Sequence, residues 1–294
     1  MTPTRSSADG TVDGATTSEL TVRRLLVDLR TPLAARWHRN DFLTQYFNAL
    51  SMSFPVGEQF FIDSVRGALP MLAQQPEHLQ LRRDILQFIG QEAAHRQIHA
   101  LYNAQLETQG LVNKWQHWAL RRQARAMRLG MHPKNLLAVT CAYEHLTATL
   151  AHQTLQHADA LEGAEERMQT MWRWHASEEI EHRSVAFDLY QAVGGNHRKR
   201  VQWYLFVLLT MALEATAQTV LNLKHSGKLW RFGTLRDGLA FFLGRQGLVW
   251  RSMPALLRYL RRDFHPQQGE HGSDSAEMAQ RWLTENASQW RGVR

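Results

Sequence analysis

Glu92 stands three residues before His95, and Glu179 three residues before His182, each pair inside a run with helical patterning. Residues three apart share one face of a helix, so each pair aims a carboxylate and an imidazole at one point. These are donor types that hold transition metals. With 15 histidines among 294 residues, chance supplies about one Glu-x-x-His pair, so the motif carries little alone. Its setting carries more. Glu58 lies 34 residues before Glu92, and Glu144 lies 35 before Glu179. The chain thus reads as a doubled unit, a helix with one Glu followed by a helix with Glu-x-x-His, which is the donor set of a dinuclear carboxylate centre in a four-helix bundle.

Glu58, Glu92, His95, Glu144, Glu179 and His182 are therefore the predicted ligands of two divalent metal ions, with Glu92 and Glu179 bridging. Two imidazoles among four carboxylates suit iron, or manganese, better than zinc. Ionisable residues interrupt apolar stripes in three of the four helices, and an inward carboxylate costs several kcal/mol unless it is paired or binds a cation. Glu178, His99 and His175 sit on or beside the same faces and are candidates for an extra ligand or for partners that orient ligands. Glu181 points away from the core and reads as solvated. Tyr102, Tyr143 and Cys141 read as core residues.

The helices that carry these groups are legible in chain order. Residues 1–18 are polar and rich in Ser, Thr and Gly, predicting a disordered tail. A short element around 19–30 has roughly helical spacing. A helical pattern from Asp41 meets Pro55, predicting a bend and then a helix to about Ala73. Helices follow over about 78–109, 112–130, 133–158 and 164–193, with Gly110, Gly130 and Gly194 as stops. No strand-and-turn alternation is evident, so the chain reads as all-α, one helical domain over 19–266 with a C-terminal extension from about 198. Residues 267–294 read as a polar loop and a weak helix around 276–290.

The net charge of +7 and 44% hydrophobic content describe a basic chain with ample core. Its basic residues are dispersed, and no zinc-finger, RNP or P-loop pattern accompanies them, which argues against nucleic acid. No organic cofactor motif is present. One cysteine excludes an internal disulfide, and the polar opening does not resemble a secretory signal, so a cytoplasmic location is expected. Val201 to Leu223 holds one formal charge, Glu214, between basic flanks. Thr210, Glu214, Gln218 and Asn222 recur every four residues along it, favouring a helix against the bundle or at an interface over a span. A second region, 239–262, sets Arg251, Arg258 and Arg262 opposite Leu248, Met253 and Leu257, so 201–262 is a candidate for peripheral membrane contact.

The phrases Phe54-Pro-Val-Gly-Glu-Gln-Phe-Phe61, Phe88-Ile-Gly-Gln-Glu-Ala-Ala-His-Arg-Gln-Ile-His99, Tyr143-Glu-His-Leu146, Trp174-His-Ala-Ser-Glu-Glu-Ile-Glu-His-Arg183 and Tyr259-Leu-Arg-Arg-Asp-Phe-His-Pro266 resemble the ferritin-like superfamily of dinuclear carboxylate proteins. More closely they resemble the bacterial family of predicted metal-dependent hydrolases, over about 40–266. The resemblance implies a helical bundle around a metal pair and leaves the reaction open. Two imidazoles with four carboxylates favour an oxygen-activating di-iron oxidase or oxygenase acting on a small apolar substrate. The alternatives are a metal-dependent hydrolase of an ester, amide or phosphoester, and a non-enzymatic metal-binding protein.

Overall fold

The computed structural model describes residues 20–268 and 270–293; the predicted tail over 1–18 lies outside them. The chain is all-α. Its helices are α1 (Asp41–Ala68), α2 (Leu79–Thr108), α3 (Lys114–Arg128), α4 (Pro133–Gln156), α5 (Glu166–His182), α6 (Val185–Ala192), α7 (His197–His225), α8 (Phe232–Leu243), α9 (Leu248–Arg258) and α10 (Glu270–Glu285). Helix α1 packs along α2, α4 along α5, and the pairs close on each other. Helix α7 lies over α1 and α4, and α3 fills the angle between α1 and α7.

Local chemistry sets the helix ends. The Asn40 side chain accepts from Leu43 N at 3.0 Å and caps α1. Gly110, at φ 84°, closes α2 with a bond from Leu111 N to Leu106 O. Helix α1 runs through Pro55 without ending. Proline has no N–H for the carbonyl four residues back, and that carbonyl, Ser51 O, is instead met by Asn103 Nδ2 at 2.9 Å. The substitute bond keeps the helix whole.

Two apolar clusters fill the bundle at different levels. One includes Trp37, Phe47, Tyr102, Met168 and Trp172; the other includes Phe61, Ile85, Phe88, Leu137 and Cys141. Helices α1 and α2 pass from one to the other, and Glu58, Glu92 and His95 occupy the turns between.

Several expectations are corrected. The described part of the 19–30 segment holds no helix: Arg23–Leu25 forms β1, paired antiparallel with β2 (Trp290–Gly292). Its alternate residues are buried, a period-2 pattern that a loose helical spacing had masked. Gly90 admits this ribbon onto α2, since a Cβ there would lie 2.4 Å from Val22 Cγ2. The 164–193 helix is two, α5 and α6, broken just after His182. The 239–262 region is also two helices, because the chain turns at Gly244 and Gly247. In α9, Arg251 and Arg258 are half-buried and Leu257 is exposed; Arg262, beyond the helix, is exposed. The tail helix α10 begins earlier than expected.

Candidate metal centre

The structure brings the six predicted residues together. Glu58 comes from α1, Glu92 and His95 from α2, Glu144 from α4, and Glu179 and His182 from α5; all are buried. Donor atoms of Glu92, His95 and Glu179 lie within 4.8 Å of one another, as do those of Glu92, Glu144 and His182. Glu92 thus belongs to both groups. Glu179 faces His95 Nδ1 at 3.4 Å and His182 Nε2 at 3.8 Å. A third group joins Glu58 and His95 to His175.

The donors lack partners. Both carboxylate oxygens of Glu58, Glu92 and Glu144, with Glu179 Oε2, His95 Nδ1 and His182 Nε2, are buried without a hydrogen bond. Such atoms cost about 1–3 kcal/mol each when nothing meets them, more when charged. Burial pushes the Glu58 and Glu144 carboxyls well above the usual range, and repulsion from Glu92 adds to it. Burial opposes charge on His95, yet Glu178 and Glu179 overcome it and raise its pKa to about 10. Four carboxylates and two imidazoles with their lone pairs turned inward fit a pair of divalent cations, which would cancel four negative charges and give each orphan a partner.

Outer partners fix the rings. His95 Nε2 bonds Glu178 Oε2 at 3.0 Å, which leaves Nδ1 to face the centre. His182 is turned the other way: its Nδ1 bonds Gln91 Oε1 at 3.0 Å, and Nε2 faces Glu92 at 3.1 Å. Arg23 of β1 ties these partners together, donating to Glu178 at 3.1 Å and to Glu181 at 2.6 and 2.9 Å. Gln91 Nε2 also donates to Glu181, at 3.0 Å. Glu181 is therefore not solvated, as its helical position implied; a strand from outside the bundle covers that face. Arg23 and Gln91 escaped sequence reasoning. Gln91 carried a faint signal in its place one turn before His95; Arg23 carried none.

His175 and His99 form a separate buried relay. Asn103 Nδ2 must donate to Ser51 O, which only accepts, so Asn103 Oδ1 receives the Ser51 hydroxyl at 2.8 Å. Ser51 Oγ then accepts from His99 Nδ1 at 2.9 Å. His99 Nε2 in turn accepts from His175 Nδ1 at 2.6 Å. Burial drives His99 well below its ordinary pKa and His175 to about 4, so both rings are neutral. The assignment leaves a lone pair on His175 Nε2, 2.9 Å from Glu179 Oε1. Two acceptors that close need a proton or a metal ion between them.

A cavity of about 670 Å³ lies behind the turns that carry Glu58 and Glu144. Phe54, Gly57 and Phe61 of α1, Tyr143 of α4, Trp115 of α3 and Phe206 of α7 are among its mostly apolar walls. Tyr143 thus lines the cavity, whereas Tyr102 is fully buried and donates to Asn48.

An all-α bundle with a buried Glu and His cluster of this kind defines a metal-binding helical protein. The chain belongs to the family described as predicted metal-dependent hydrolases, whose family model matches residues 21–270. No curated protein and no solved structure matches it. The family description sides with the hydrolase alternative rather than with oxygen activation.

Proposed function

We propose that the chain is a metal-dependent hydrolase with a dinuclear centre, its helices arranged in the ferritin-like manner. The observation that carries this is the set of orphaned donors on Glu58, Glu92, His95, Glu144, Glu179 and His182, in a chain of a hydrolase family. Glu58, Glu92, His95 and Glu179 hold one cation, with His175 Nε2 as a further nitrogen donor; Glu92, Glu144, Glu179 and His182 hold the other. Manganese or iron suits the oxygen-rich set. When bound, the pair supplies Lewis acidity toward a substrate oxygen and makes nearby water acidic. Glu178 and Gln91 keep the two imidazoles oriented, Arg23 neutralises the carboxylates behind them, and the apolar clusters exclude bulk water. The cavity beside Glu58 and Glu144 receives a small apolar substrate, such as the acyl part of an ester.

The protein loaded with manganese, zinc or ferrous iron is expected to bind two ions per chain and to cleave aryl esters of medium acyl length, with amides and phosphoesters tested alongside. Two bound ions without any cleavage, together with oxygen uptake by the ferrous form, would transfer the centre to oxygen activation. Absence of metal binding would remove both readings.

A further inference from the structure

We infer that the outer face of α7 docks on an anionic lipid surface. This helix is inside-out for one packed on a soluble bundle. Between Gln202 and Lys224 its exposed side chains are apolar but for Thr216, and Leu205, Phe206, Leu209, Leu213, Val220 and Leu221 lead among them. That stripe is about 24 Å long at 1.5 Å per residue. Leu209 and Leu213 are each 61% exposed.

The larger polar side chains face inward and are bonded. Arg200 donates to Arg261 O at 2.6 Å, and Tyr204 to Leu256 O at 2.9 Å. Glu214 pairs with Arg122. Gln218 Oε1 accepts from Lys114 N and Trp115 N at the start of α3, and Asn222 reaches Gln45 O. Rotating α7 to bury its leucines would strand these groups. The helix is long and apolar enough to cross a membrane, yet its inner face is tied to the bundle from residue 200 to 222. It therefore lies along the interface.

Charge selects the occupant. Exposed Arg198 and Lys199 stand at one end of the stripe and Lys224 at the other. The next turn and α8 add Arg231, Arg236 and Arg245, with an outward Trp230 that is 85% exposed. From 197 to 250 the only acidic residues are Glu214 and Asp237, both half-buried and paired with arginine. A second copy laid on this face in either direction would set cation against cation, whereas anionic head groups complement both ends. Phe206 belongs to the stripe and to the cavity wall, so an apolar substrate would enter from the lipid side; that last step alone rests on the proposed hydrolase function.

The test is co-sedimentation of the full chain with phosphatidylcholine vesicles containing one quarter phosphatidylglycerol, against phosphatidylcholine alone. Binding to the anionic vesicles, weakened by salt, is expected. Leu209→Glu with Leu213→Glu should abolish it, and Arg198→Glu with Lys199→Glu should weaken it at least about tenfold, both at unchanged helicity and metal content. Failure of the native chain to bind, or binding indifferent to these changes, overturns the proposal. So does a native dimer by light scattering that Leu209→Glu with Leu213→Glu splits. Because no turnover is read, the outcome is independent of the hydrolase assay.

Discussion

The two imidazoles of the centre come from the same sequence motif, yet they are held by different chemistry. His95 presents Nδ1 and is backed by the carboxylate of Glu178, itself bound to Arg23. His182 presents Nε2 and is backed by the neutral amide of Gln91. Beside His95, and not beside Glu144, stands His175, whose Nε2 lies 2.9 Å from Glu179 Oε1. A carboxylate behind an imidazole raises its basicity more than an amide does. In the proposed dinuclear centre the repeated ligand spacing therefore does not make the two positions equal, and the His95 position should be the tighter one.

Glu92 is the residue common to both of these groups. Glu92→Ala should lose both ions, whereas Glu144→Ala should lose chiefly the one beside His182; metal content per chain distinguishes them. Arg23→Met should come next. It leaves Glu178 buried beside His95 without its cation, at about 3–5 kcal/mol, visible as a lowered Tm, and should weaken the His95 position more than the other.

Acidity offers a test of both positions together. In the metal-free protein the Glu58 and Glu144 carboxyls are raised well above 4.5 by burial and by Glu92. They retain protons that the unfolded chain releases, so their stabilisation is complete below pH 4.5 and is lost as pH rises through their folded values. Metal binding must expel those protons, so affinity should rise with pH over the same window. Denaturation of the metal-free chain and calorimetry in buffers of differing ionisation heat should show the opposing trends.

His175→Ala should reduce affinity about 10- to 100-fold at the His95 position alone, seen as a wider gap between two binding steps. Pro55→Ala should have the smallest effect. It supplies an N–H to Ser51 O in place of Asn103 and frees the asparagine that sets the relay's direction; an affinity loss of a few-fold confined to the same position is expected.

Much of the helical scaffold was legible in the sequence because helical periodicity is local. The 34- and 35-residue spacings and the inward places of Glu58, Glu92, Glu144 and Glu179 follow from counting along single helices. The break after His182 was not legible, since nothing in Arg183 or Ser184 stops a helix by itself. The partner that serves the carbonyl orphaned by Pro55 was not legible either: it is Asn103, 52 residues away from Ser51.

Periodicity alone was thus enough to establish an all-α chain and the side chains that each helix turns toward a shared interior. Which nitrogen each histidine presents, the placement of Arg23 and Glu181 behind the centre, and the outward turn of the α7 leucines all awaited the packing of distant segments. Those outcomes depend on hydrogen bonds between residues as far apart as Arg23 and Glu181, and no periodicity within one segment encodes which distant segment will cover it.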